Sequence, residues 1–240
     1  MHLHALTDKQ RYIFIWILAI IGSLLFIPYA QHIGLYQSEI SFSSILIVGL
    51  IQAAIIYGLI CFACYKMIPK AGIHPFPHST YKHMLIVGGV AGLVIGIALY
   101  LLAHFMPYPI SEMMRAPIWV GLLSCFYRAF NEEILCRLFL LTLIFFVTMK
   151  IFKGAEHHRT IFFWVANVLA AFIFATAHLP ILYAVMQSPS TLEILYMLFL
   201  SGVAGVAFGW LFWTHGLWVA IIAHFVAAII FNTGVLGILP

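Results

Sequence analysis

Charge is what this chain has least of: seven Asp and Glu and eleven Lys and Arg in 240 residues, 8% in all, against 65% hydrophobic residues. That composition cannot cover a water-facing surface, so a soluble globular protein is excluded and lipid is the expected solvent. Cysteine is scarce too. Cys61, Cys64, Cys125 and Cys136 all fall in apolar segments, which supports neither a disulfide framework nor a zinc ribbon. The Cys61-x-x-Cys64 pair lacks the strand-to-helix setting of a redox motif. Low-complexity tracts and soluble repeats are missing, and so is H-E-x-x-H. The formal net charge of +4 comes from basic residues scattered between apolar runs, so nucleic acid is not an expected partner. The first apolar run follows Lys9 and Arg11, is long, and ends without a small-x-small cleavage site; it reads as a retained span.

Long hydrophobic runs with short polar breaks are what the chain does have. They predict an all-α, polytopic transmembrane helix bundle of about seven spans (six to eight by length), forming a single membrane domain over residues 1–240. Helices are expected at about residues 12–29, 42–67, 83–106, 117–149, 160–179, 192–213 and 216–238. Lys and Arg alternate in the breaks. Lys9 and Arg11 precede the first span, Lys66, Lys70 and Lys82 flank the second loop, Lys150, Lys153 and Arg159 the fourth, and Arg115 alone stands on the opposite side. Cytoplasmic loops are enriched in such residues, so the expectation is a multi-pass protein of the cell membrane, N-terminus inside and C-terminus outside. Gly88, Gly92 and Gly96 in the third span and Gly205 and Gly209 in the sixth offer small-residue faces, read as packing within the bundle rather than a dimer interface. The loop with His74, Pro75, Pro77 and His78 reads as an ordinary polar connection.

The remaining charge concentrates where it is least expected. The stretch "FNEEILCRLF", Phe130 to Phe139, puts Glu132, Glu133 and Arg137 in the fourth span, whose helix would measure about 50 Å against a ~30 Å hydrocarbon core. Glu133 and Arg137 are four apart with the acid first, and Arg128 and Glu132 are also four apart; on an α-helix the two pairs point about 100° from each other. Each charge at the bilayer centre costs about 2.5–3.5 kcal/mol on the insertion scale, so pairing or water is required. Leucines would hold helices together at lower cost, and intramembrane ionisable groups more often mark a wet cavity or a reaction site than a structural lock. His178 closes the fifth run, where Pro180 is expected to terminate the helix, with Phe174 one turn earlier; His224 lies inside the seventh, in "VAIIAHFVAAII". A lone histidine on an apolar helix is usually a core residue. Glu132 and His178, however, each lie about 27 Å of helix from the same basic loop and so at one depth, with His224 shallower unless its helix begins below the surface.

At these residues the chain resembles the CPBP family (CAAX protease and bacteriocin-processing), multi-span endopeptidases that include the enzyme removing the last three residues from prenylated CAAX proteins. Glu132-Glu133-x-x-x-Arg137, Phe174-x-x-x-His178 and His224 after "GLWVAIIA" carry the likeness, which covers residues 117–235 as a family-like catalytic core. The resemblance implies an intramembrane protease in which Glu132 activates water and His178 and His224 act as oxyanion stabilisers or metal ligands, with Glu133, Arg137 and Arg128 in support. It implies a hydrophobic or lipidated peptide as substrate and membrane lipid as surroundings. If a single divalent metal such as zinc is bound, its ligands are His178, His224 and Glu132. Glutamate-activated water without a metal fits the same residues and is favoured.

The chain departs from the family pattern at Ala228, where Asn or Asp is frequent; Asn232, two turns after His224, is the nearest replacement. Cys136 and Leu138 flank the arginine where Phe and Gly are common. Ala228 keeps open a second reading, a catalytically weak member acting as a bacteriocin-immunity or chaperone-like membrane protein. A proton-coupled transporter using the buried carboxylates is a third, unsupported by any inverted repeat. The loop charges place Glu132 and His178 in the outer half of the membrane, which disfavours cytosolic CAAX proteins themselves as substrates.

Overall fold

The computed structural model of the chain describes residues 7–36, 39–104, 116–152 and 156–235. Arg115, Lys153 and the expected helix ends at 105–106 and 236–238 lie outside the described residues. Among the described residues the secondary structure is helical, with no strand. Its elements are α1 (Asp8–His32), α2 (Phe42–Ala71), α3 (Tyr81–His104), α4 (Ile118–Ile151), α5 (Arg159–Thr176), the short α6 (Leu179–Met186), α7 (Thr191–His215) and α8 (Leu217–Val235).

Helix ends are set by local chemistry. Thr7 with Gln10 and Ser190 with Glu193 form capping boxes that satisfy the first free N–H groups of α1 and α7. At the other end of α2, Gly72 takes the left-handed conformation (φ 64°), and Arg159 at the start of α5 donates to the carbonyls of Ala71 (3.2 Å) and Gly72 (3.0 Å). Pro180 departs from its expected role. The chain leaves α5 at Thr176 but re-enters a helix at Leu179, with Pro180 in the first turn, where its missing N–H breaks no hydrogen bond. Arg159–Met186 is therefore one apolar stretch of 28 residues, kinked at Ala177 and His178.

Among the described residues six stretches are long and apolar enough to cross a membrane, and a further apolar helix covers Leu217–Asn232. Its start is held by specific contacts. Gly216 turns the chain with φ 86°, Leu217 N–H donates to the Pro75 carbonyl at 2.8 Å, and Leu217, Val219 and Ala220 are fully buried. The loop at Pro75 and Pro77 is thus more than a connection: it covers the turn and lets α8 begin below the surface.

α4 is the hub, packed against α1, α2, α5, α7 and α8, while α1 pairs with α2, α3 with α8, and α5 with α7. The glycine faces serve these pairs. A Cβ on Gly92 would lie 2.9 Å from Ala223 Cα, one on Gly96 2.9 Å from Ala227 Cα, and one on Gly205 2.8 Å from Ala171 Cβ. Both glycine series therefore make internal contacts. Outward-facing Leu59, Val94 and Phe172 are exposed, as side chains turned to lipid must be. Gly92→Ala is expected to overpack the α3–α8 contact by about 1–3 kcal/mol and lower the melting temperature in detergent. Gly89→Ala, with nothing within 4 Å of the added carbon, serves as the control. Equal melting of the two variants would contradict this close approach.

Candidate active site

The charged stretch of α4 is not wound as an ordinary α-helix. Arg128–Glu132 and Ile134–Leu141 form π-helical turns, which turn less per residue than an α-helix and occur most often at functional sites. Successive side chains here go to different neighbours. Asn131 Nδ2 donates to the Ala19 carbonyl and Ser23 Oγ of α1, both at 2.7 Å. Arg137 Nη2 donates to the Gly205 carbonyl of α7 at 3.1 Å, and the Leu138 carbonyl accepts from Cys64 Sγ of α2 at 3.4 Å.

Glu133 is the centre of the dry part. Its side chain is 0% exposed, and its Oε1 lies 3.1 Å from Arg137 Nη1 and 2.8 Å from His224 Nδ1. The guanidinium of Arg137 stands over the rings of Phe174 (4.9 Å) and Phe208 (5.7 Å), and Phe208 stacks in turn on His224 with centroids 4.3 Å apart. One aromatic ring thus packs on both partners of one carboxylate. The expected Glu133–Arg137 pair is present. The expected Arg128–Glu132 pair is not among the ion pairs of the described residues; Arg128 instead lies 5.8 Å above the Tyr29 ring of α1, a cation–π partner, while Glu132 turns to a cavity.

That cavity, about 170 Å³, has Glu132, His178, His224 and Arg128 in its wall, with Ser201 and Asn232 as further polar groups and the rest mostly aliphatic and aromatic. A single water needs about 10–15 Å³, so the space is ample for a wet site. It lies between the C-terminal ends of α1, α3, α5 and α8 and the N-terminal halves of α4 and α7, at the end of the bundle away from Lys9, Lys70, Lys82 and Lys150. Glu132 and His178, expected at one depth, and His224, expected to be shallower, share one wall. The sunken start of α8 is what brings His224 level with the others.

Hydrogen-bond partners decide which imidazole nitrogens face the cavity. A carboxylate only accepts, so His224 donates its Nδ1–H to Glu133 and leaves Nε2 as the free nitrogen, 3.7 Å from Glu132 Oε2. A carbonyl also only accepts, so His178 donates Nδ1–H to the Phe174 carbonyl at 2.9 Å and likewise frees Nε2. The separation of 3.7 Å is too long for a direct hydrogen bond and short enough for one water to bond both atoms.

Three features were not legible in the sequence. The bond from His224 to Glu133 joins residues 91 apart. Asn131 and Asn167 stand out as amides in apolar runs, yet their partners, Ala19 and Ser23 for the first and the Val206 carbonyl (3.0 Å) for the second, show no periodic signal. Ala228 lines the cavity, and so does Asn232, whose Nδ2 is committed to the Gly121 carbonyl at 3.2 Å. Among the described residues no three His, Cys, Asp or Glu side chains converge closely enough to hold a metal ion, so the residues present do not fit a three-ligand site.

Residues 114–230 match the family model described as Type II CAAX prenyl endopeptidase Rce1-like. This region belongs to that family. The matched region takes in α4 to α7 and most of α8, including Glu132, Glu133, Arg137, His178 and His224. The family is one of proteases, and the six long apolar helices among the described residues make the chain an integral, multi-pass membrane protein. No curated protein and no solved structure matches the chain. The geometry around Glu133 in this region generates a stability prediction. Arg137→Met leaves a buried carboxylate short of its cation and is expected to destabilise the protein by about 3–5 kcal/mol, measured by unfolding in mild detergent. Adding Glu133→Gln is expected to recover part of that loss; no recovery would mean that packing of the guanidinium, not charge balance, is what the bundle needs.

Proposed function

We propose that the protein is an intramembrane endopeptidase in which Glu132 acts as a general base on a water held between its carboxylate and His224 Nε2. The observation that carries this reading is the 3.7 Å approach of those two groups in a cavity shared with His178. Water gives a proton to Glu132 as its oxygen attacks the scissile carbonyl carbon, and the same proton passes to the leaving amine nitrogen when the C–N bond breaks. The tetrahedral oxyanion needs donors, and His178 becomes one at Nε2 when its ring is protonated, because Nδ1 is already tied to Phe174. Glu133 and Arg137 act through His224, holding its ring and its tautomer. The reaction is proposed in its metal-free form, with Glu132 activating the water.

The apolar walls suit a hydrophobic or lipidated peptide, and the family's description brings prenylated CAAX proteins as the particular case. The loop charges favour the N-terminus inside the cell membrane and the cavity toward the outer half. Since Cys61, Cys64, Cys125 and Cys136 are buried, a cysteine placed at exposed Lys82 is an accessible reporter. It is expected to react with a membrane-impermeant thiol reagent only in opened cells; reaction in intact cells would reverse the orientation and put the cavity within reach of cytosolic prenylated proteins.

Glu132→Gln is expected to reduce peptide turnover at least 10²-fold with an unchanged melting temperature, and chelators are expected to leave wild-type turnover intact. Unaltered turnover in Glu132→Gln would end the proposal. Ala228 in the cavity wall supports a second reading, a binding protein with little activity. It takes over if Glu132→Gln and His178→Ala still rescue a deletion strain in full.

A further inference from the structure

Asn232 lines the cavity two turns beyond His224 on α8, where Ala228 stands one turn beyond. Which end of its amide meets the cavity decides what it can do there. Nδ2 donates to the Gly121 carbonyl at 3.2 Å and to Cys125 Sγ at 3.3 Å, so both of its hydrogens go to buried groups of α4. The reverse orientation would set two carbonyl oxygens against each other and is excluded. Oδ1 accepts no hydrogen bond from the described residues, and it is not sealed in the interior. Asn232 therefore offers the cavity an acceptor. An oxyanion, which needs donors, cannot be its partner. A carbonyl oxygen in an apolar wall within a membrane is costly to leave unpaired, and the main chain of a bound peptide can supply the missing N–H.

We propose that Asn232 Oδ1 accepts a main-chain N–H of the bound peptide and so holds the substrate in register with Glu132 and His224. The inference rests on the endopeptidase reading above and deepens it by naming a backbone group of the substrate that is recognised. From His224 to Asn232 the helix rises about 12 Å. An extended peptide covers about 3.3–3.6 Å per residue, so the N–H belongs to a residue about three to four positions from the scissile bond. The contact is made to the backbone and is indifferent to the side chain at that position, with one exception. Proline has no N–H to give and is rejected there. Asn232 is in this account a specificity-determining residue that takes no part in proton transfer, and its two bonds to α4 serve to aim the oxygen.

The experiment uses a set of farnesylated peptides, ending in three apolar residues after the lipidated cysteine, in which each backbone N–H outside the scissile bond is replaced in turn by an ester oxygen. Wild type is expected to lose about 3- to 10-fold in kcat/KM, mostly through KM, at one ester position, the range for one neutral hydrogen bond, and to lose at least as much with proline there. Asn232→Ala is expected to lose a similar factor on the all-amide peptide and nothing more on that ester, while esters elsewhere affect both enzymes alike. A wild-type scan with no sensitive position three or four residues from the cleaved bond overturns the inference and leaves the protease reading standing. So does an ester penalty that persists in Asn232→Ala, since the amide then only ties α8 to α4. Should Asn232→Ala not fold, the wild-type scan decides: a penalty confined to that position upholds the contact, and its lack overturns it. If wild type cleaves none of the peptides, their binding decides. One ester that binds wild type more weakly, with the difference lost in Asn232→Ala, upholds the contact while the protease reading fails; equal binding of amide and esters overturns the contact as well.

Discussion

A single carboxylate oxygen in the dry interior holds the site together. Glu133 Oε1 is shared by a guanidinium from its own helix and an imidazole from α8, and the side chain has no exposure at all. In a bundle surrounded by lipid there is no water to complete an unpaired charge, so each partner is obligatory for the other two. Phe174 from α5 and Phe208 from α7 cover the guanidinium and Phe208 also stacks on the imidazole, which ties four helices to one small polar unit. Cohesion is only part of the result. The arrangement also sets the orientation of His224, because the nitrogen that faces the cavity is the one that Glu133 does not use.

Neighbouring acids on one helix therefore have opposite surroundings. Glu133 is compensated and dry, whereas Glu132, one residue earlier, is 18% exposed in a cavity with room for water. A purely structural lock would have buried both. The division explains how a chain so poor in charge spends four charged residues on one span: Glu133 and Arg137 stabilise the bundle, and Glu132 and Arg128 stand where a polar ligand can reach them. The kink at Ala177 and His178 contributes in the same way, since the end of α5 exposes the Phe174 carbonyl that orients the second imidazole.

Much of the bundle was legible because lipid imposes simple rules. Long apolar runs mark the helices, glycines at four-residue spacing mark close approaches, and an acid four residues before an arginine marks the pair that forms. Other features were hidden for physical reasons. Arg128 has a spacing to Glu132 as good as that of Glu133 to Arg137, yet the ring of Tyr29, nearly a hundred positions away, takes the cation. Pro180 signals a helix end truly enough at Thr176, but nothing local says that the helix resumes after a break of two residues. The π-helical winding of α4 leaves no trace in the pattern of apolar residues, and the turn at Gly216 looks like any surface turn until the Pro75 carbonyl closes over it.

By itself the sequence determined that this protein lives in a membrane as a helical bundle, and which few polar side chains had to find one another there. Hydrophobicity is a property of each segment and needs no partner to be read. Tertiary structure decided the rest: which of two adjacent glutamates faces water, which nitrogen of each histidine is free, and that the last helix starts deep enough to bring His224 to Glu132. Those outcomes depend on contacts between residues far apart in the chain, and a hydrogen bond takes its direction only once both ends are in place.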